Sequence, residues 1–96
     1  MNGTERAYAA HLEMQKQAGL IYSYAFEAIR LRLAKSTFYN PDFVVYKRDG
    51  TVEFHEVKGY WRDDARVKIK VAAELFPFRF LAVVKRANGW DFEDFG

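Results

Sequence analysis

Cysteine is absent from the 96 residues. Disulfides and thiolate metal sites are therefore excluded, and the redox compartment is left open. Proline occurs only twice, and no linker, low-complexity segment or internal repeat is visible. No apolar run approaches the roughly 20 residues of a membrane span. The first twelve residues include Glu5, Arg6 and His11 and lack an apolar stretch, so no signal peptide is expected. A soluble cytoplasmic protein with no membrane partner is the expectation. Excess charge is also scarce: the net charge is +2, which by itself says little about a nucleic-acid partner.

What is present is apolar and aromatic. Half the residues are hydrophobic, with nine Phe and six Tyr, enough for one efficient core in a chain that buries roughly 60–65% of its unfolded surface. A single domain over residues 1–96 is expected. Basic residues crowd the middle and later chain, from Arg30 to Arg86, and acids close the tail at Asp91, Glu93 and Asp94. A basic face with an acidic end fits a polyanionic ligand; an ordinary solvated surface fits equally well.

Thr4 stands where it can cap a helix over residues 4–18, with Gly19 as the stop. Tyr8 and Leu12 share a face four residues apart, Glu5 joins that stripe, and Glu13 falls towards solvent. An anion in the first turn is favoured by the helix dipole, which accounts for Glu5 without any function. Residues 20–34 read as extended, with a phase slip at Glu27-Ala28 that calls for a bulge or bend. A turn follows at 35–37. Pro41 opens a strand over 42–47, Asp49-Gly50 signals a tight hairpin, and the return strand covers 52–58. On it Val52, Phe54, Glu56 and Lys58 share one face, and Glu53, His55 and Val57 share the other. Asp63 or Asp64 caps a second helix that runs to about residue 76 and buries Ala65, Ile69, Ala72 and Phe76. Residues 78–85 are apolar on both faces, hence central, and reached by a right-handed parallel crossover. Trp90, Phe92 and Phe95 make a sticky acidic tail that covers the sheet or forms a subunit contact. The fold class expected is α/β, a mixed sheet flanked by two helices.

The hairpin carries the chemistry. Antiparallel return brings Glu56 beside Asp42, with Lys58 on the same strand face as Glu56. Two carboxylates at one point repel, and a divalent cation relieves that. Mg²⁺ takes oxygen ligands and keeps several waters. Asp42 and Glu56 fit it, with the Val57 backbone carbonyl as a third oxygen. Such a metal polarises a phosphate and lowers the pKa of water, while Lys58 holds that water and offsets charge in the transition state. The plain alternative is a strand-borne ion pair of Lys58 with either acid, worth ~0–1 kcal/mol. His55 faces away from Glu56, and His11 and His55 both read as surface or hydrogen-bonded histidines.

Pro41-Asp42 followed by Glu56-Val57-Lys58 resembles the signature of the PD-(D/E)xK nuclease superfamily. The element order is similar to its restriction-endonuclease-like αβββαβ core. Tyr39-Asn40-Pro41-Asp42-Phe43, His55-Glu56-Val57-Lys58-Gly59, Arg62-Asp63-Asp64-Ala65-Arg66-Val67-Lys68, Phe76-Pro77 and Phe80 together resemble small phage-encoded endonucleases and Holliday-junction-resolvase-like enzymes. The resemblance implies Asp42 and Glu56 as metal ligands and Lys58 as the catalytic lysine. It also implies Glu5 as an acid beside the metal and a basic residue on the second helix, Lys68 ahead of Lys70. It implies Mg²⁺, with Mn²⁺ as substitute, and the host cytoplasm for a phage-encoded enzyme.

The activity expected is a metal-dependent DNA endonuclease, acting on branched or junction DNA as a homodimer, or as a nickase. Arg30, Arg32, Arg62, Arg66, Lys68 and Lys70 are the candidate phosphate contacts. Tyr60 and Trp61 stack on an exposed base or simply pack. The rivals are a catalytically silent DNA-binding module and a subunit of a larger phage DNA-processing assembly.

Overall fold

A computed structural model describes residues 1–58 and 63–96; Gly59, Tyr60, Trp61 and Arg62 lie outside the described residues, as does the side chain of Asp63. Helix α1 (Gly3–Gln17) leads to β1 (Ile21–Phe26) and a small hairpin of β2 (Leu31–Ala34) and β3 (Thr37–Tyr39). A second hairpin, β4 (Phe43–Lys47) and β5 (Val52–Lys58), precedes helix α2 (Asp63–Leu75) and strands β6 (Arg79–Arg86) and β7 (Gly89–Asp94). One sheet has the order β1-β4-β5-β6-β7, and β2 and β3 pair separately. Within the large sheet β5 and β6 are parallel and the other neighbours antiparallel. The architecture is a mixed sheet flanked by two α-helices.

Alternation along the strands builds two cores. Phe43, Val45, Val57 and Val83 pack with Tyr8 and Leu12 of α1. Val44, Phe54 and Phe80 pack with Ile69 and Ala72 of α2 and with Leu31 and Tyr39 of the small hairpin. Strand β6 has a neighbour on each side and is buried throughout residues 80–83, as its uninterrupted apolar run requires.

The β4–β5 turn sets the register that the site depends on. Gly50 sits at φ +87°, where a side chain would be strained. Asp49 accepts from the Thr51 N–H at 2.9 Å and its hydroxyl at 2.6 Å. Phe43 then lies opposite His55 and Val44 opposite Phe54, so the next step along the ladder sets Asp42 against Glu56.

Five expectations need correction. Asn2, not Thr4, caps α1: its side chain accepts from the Glu5 N–H and the Glu5 carboxylate accepts from the Asn2 N–H, both at 2.8 Å. This reciprocal box satisfies two end donors at once, and Thr4 already lies inside the helix. The extended stretch 20–34 is two strands of different sheets, because Glu27 at φ +49° turns the chain where the phase slips. The small hairpin then reverses at Ser36, φ +58°, and Thr37 already begins β3, too short a strand to show a period. The acidic tail is the sheet's edge strand β7, held by Arg66–Glu93, Arg79–Asp94 and Arg86–Asp91 ion pairs. Glu13 does not simply face solvent; it accepts from the Tyr24 hydroxyl and from Gln17, both at 2.7 Å. Among the described residues no helix is long and apolar enough to cross a membrane.

Candidate active site

The ends of β3, β4 and β5 meet at one corner of the sheet. There the Val57 N–H donates to Asp42 Oδ2 at 2.8 Å, and the Asp42 N–H donates to Glu56 Oε1 at 3.3 Å. Lys58 Nζ lies 3.1 Å from Glu56 Oε2. Asp42, Glu56 and Lys58 therefore converge as the hairpin geometry anticipated, and Val57, expected to contribute its carbonyl, joins them through its N–H. A fourth participant was missed. Tyr39, buried at the end of β3, donates its hydroxyl to Glu56 Oε1 at 2.8 Å. A signal for it existed: a buried tyrosine needs a partner for its hydroxyl, and Tyr39 stands three residues before Asp42.

The electrostatics are those of two crowded acids. Burial, then the Glu56 carboxylate, pushes Asp42 up to about 7, with a smaller push from Glu5; the Val57 N–H and Lys58 pull the other way. Tyr39 is raised far above the ordinary phenol range by burial, then by the charge and hydrogen bond of Glu56. Glu5 thus reaches Asp42 electrostatically while its carboxylate oxygen is turned to the helix cap. Among the described residues no three His, Cys, Asp or Glu side chains are grouped to hold a metal ion. The donor set present is a pair, Asp42 and Glu56. Its chemistry suits a hard oxygen-seeking cation that completes its shell with water or phosphate, and the raised Asp42 shows that negative charge there lacks sufficient compensation.

The basic candidates divide. Lys68 Nζ donates to the Phe38 carbonyl at 3.1 Å, and the Arg30 guanidinium lies 3.8 Å from the Phe38 ring centroid. Both therefore gather on β3, next to Tyr39. Arg32 Nε makes a long 3.4 Å contact with the Ala34 carbonyl and is exposed, as is Lys70. Arg66 is committed elsewhere: Nη1 donates to Glu93 at 3.0 Å, and the guanidinium sits 5.3 Å from the Phe95 ring centroid. A depression of about 360 Å³ lined by Glu27, Ala28, Ile29, Arg30 and Asn40 adjoins the acids, since the Glu27 N–H donates to the Asp42 carbonyl at 2.8 Å. A cavity of about 530 Å³ lies at the far end of the hairpin, by Asp49, Gly50 and Pro77, away from the acid pair. Arg62, Tyr60 and Trp61 lie outside the described residues.

His55 is a buried, satisfied histidine on the α1 face. Its Nδ1 is 2.6 Å from the Tyr8 hydroxyl and its Nε2 is 2.9 Å from Glu53 Oε1. The hydrogen bond from His55 holds Glu53 below the usual carboxylate range. An ionised Glu53 can only accept, so Nε2 carries a hydrogen toward it, and Nδ1 is hydrogen-bonded to the Tyr8 hydroxyl. His11 stacks on Tyr8 with centroids 5.4 Å apart, and burial lowers its pKa. No family model, curated protein or solved structure matches the chain.

Proposed function

We propose that this chain is a metal-dependent DNA endonuclease of the PD-(D/E)xK type, its α1-β1-β4-β5-α2-β6 order serving as a restriction-endonuclease-like core with a β2–β3 insertion and an added edge strand. The observation that carries the reading is the convergence of Asp42, Glu56 and Lys58 at one corner, with the Asp42 N–H 3.3 Å from Glu56 Oε1 and Lys58 Nζ 3.1 Å from Glu56 Oε2. A buried pair of like charges is retained at a free-energy cost, and catalysis supplies a reason for it. Asp42, Glu56 and the Val57 carbonyl would hold Mg²⁺ or Mn²⁺, which contributes Lewis acidity toward a phosphate oxygen and lowers the pKa of water. Lys58 orients the attacking water and sets a positive charge against the charge that builds on phosphorus. Glu5 adds negative potential at Asp42. Arg30 at the depression beside Asp42, Arg32 and Lys68 at the small hairpin, and Lys70 on α2 take backbone phosphates, and branched or junction DNA, cut by a homodimer, is the substrate favoured over plain duplex.

The test is incubation with supercoiled plasmid and with a four-way junction, in Mg²⁺, Mn²⁺ or EDTA. Cleavage that needs the metal and is lost in Asp42→Asn and Lys58→Ala supports the reading; cleavage indifferent to EDTA rejects it. One observation favours a second reading, a DNA-binding module without catalysis: Lys58 is paired to Glu56 and, among the described residues, no third acid joins the pair. Tight junction binding with no cleavage in any metal would select that reading.

A further inference from the structure

We propose that Tyr39 is a positioning residue whose hydroxyl pins Glu56 Oε1, so that Glu56 Oε2 is the oxygen presented to a divalent cation. This rests on the metal-dependent reading above. A carboxylate offers about four lone-pair sites, two on each oxygen. On Oε1 two donors are seated, the Tyr39 hydroxyl at 2.8 Å and the Asp42 N–H at 3.3 Å. Oε2 faces Lys58 Nζ at 3.1 Å.

The two oxygens are therefore unequal. The donors on Oε1 are a backbone amide and a phenol in a side chain only 7% exposed, neither of which can withdraw without moving a strand. The donor on Oε2 is the terminal ammonium of a half-buried lysine side chain, which can shift and leave an Oε2 lone pair to a cation. Remove the phenol, and Oε1 keeps one long bond while the carboxylate is free to turn either oxygen to Lys58. Groups that fix a ligating carboxylate typically change metal affinity 10–100-fold.

The position of Tyr39 adds a consequence. It lies beside Phe38, where Arg30 and Lys68 gather, so the hydroxyl links the basic corner of the small hairpin to the acid pair. No other side-chain hydroxyl reaches Glu56 among the hydrogen bonds of the described residues.

The experiment is Mn²⁺ calorimetry on the protein alone, without DNA. Tyr39→Phe keeps the ring that packs in the α2 core and loses the donor. It should raise the Mn²⁺ Kd roughly 10–100-fold. Cleavage should fall at low Mg²⁺ and recover at high Mg²⁺, with KM for DNA unchanged. In a double-mutant cycle, adding Tyr39→Phe to Glu56→Asp should weaken Mn²⁺ binding little further, because both act through one carboxylate. 4-Aminophenylalanine in place of Tyr39 restores a weaker donor and should bind Mn²⁺ between the two. If Tyr39→Phe does not fold, that substitution carries the test, with several-fold weaker binding than wild type expected. Wild-type Mn²⁺ affinity in both variants overturns the inference and leaves the nuclease reading standing. A wild-type protein that neither binds Mn²⁺ nor cleaves overturns both.

Discussion

Asp42 and Glu56 hold each other through their backbones: the N–H of Val57, next to Glu56, donates to Asp42 Oδ2, while the N–H of Asp42 donates to Glu56 Oε1. Each acid is thus fixed by the strand that carries the other. A hydrogen bond to a charged group contributes ~1.5–3 kcal/mol, which is about one to two pKa units in favour of the ionised form. The net shift of Asp42 is nevertheless upward, so burial and the neighbouring carboxylate outweigh the amide and the lysine. The corner is assembled against its own electrostatics.

That imbalance sets a pH dependence. The folded-state pKa of Asp42 lies above its value in an unfolded chain, so the folded state binds the proton more tightly. Its contribution to stability is fully present below about pH 4 and is lost as pH rises through about 7. Thermal melts of the wild type in EDTA should lose Tm across that window more steeply than melts of Asp42→Asn, which has nothing to titrate there. Parallel pH profiles for the two proteins would show that the acids are not in conflict.

The same substitution should separate stability from activity. Asn at 42 keeps an oxygen for the Val57 N–H and removes the repulsion, so at pH 8 without metal Asp42→Asn should melt above wild type, whereas with Mg²⁺ present it should cleave at least about 100-fold less, as expected for loss of an electrostatic catalytic group. Mg²⁺ should reverse the order of stability. At a hundred times its Kd a ligand stabilises by about 2.7 kcal/mol, which for a domain this small is on the order of 10 °C. Calorimetric scans with and without Mg²⁺ check this; a wild type that gains no Tm has no cation site.

The site was more legible than the surface around it. Asp42 and Glu56 could be brought together from sequence because Asp49-Gly50 fixes a short turn and strand alternation does the rest. The two helices were found from their apolar stripes. Strand β3 was missed because three residues cannot show a period, and with it went Tyr39, whose partner lies across a separate sheet. Tail strand β7 was read as a cover or a subunit contact because its acids resemble a solvated end; their arginine partners come from α2 and β6. The Glu5 question divided wrongly into cap or function, since a carboxylate can accept a cap hydrogen bond and still bias an acid nearby.

Glu5→Gln tests that double role. Glutamine at the third helical position also serves a capping box, so Asn2 keeps its partner and the melt should shift by less than about 0.5 kcal/mol. The negative charge beside Asp42 disappears. Cleavage should fall several-fold, and the pH at which it rises should move down, because Asp42 loses one of the charges that raise it. Equal losses of stability and cleavage would leave Glu5 as a cap alone.

On the opposite face, Tyr8→Phe should do the reverse. The His55 ring loses the hydroxyl at its Nδ1 in a buried setting where, among the described residues, every buried polar side-chain atom has a partner. An unsatisfied buried acceptor costs about 1–3 kcal/mol, or roughly 4–8 °C of Tm per kcal/mol at this size. Cleavage, assayed below the lowered Tm, should stay within about twofold, since such strand alternation sends His55 and Glu56 to opposite faces. Loss of cleavage without loss of stability would place His55 in the chemistry instead.

Salt dependence distinguishes the arginines and lysines that touch DNA from those that hold the fold. In an Asp42→Asn background, where cutting is suppressed, junction affinity should fall with salt, and each lost phosphate contact should reduce the slope of log K against log [salt] by about 1. Lys70→Ala and Arg32→Ala remove exposed charges assigned above to phosphates and should each reduce it so. Arg66→Ala should leave the slope unchanged, because its guanidinium is occupied by Glu93 and Phe95. It should instead lower the Tm, since a surface ion pair of ~0–1 kcal/mol and a cation–π contact of ~0.5–1 kcal/mol both disappear and the edge strand loses its tie to α2. A slope that drops for Arg66→Ala with the Tm intact would mean that DNA displaces Glu93, and β7 would then be a competitor for the phosphates rather than a strut.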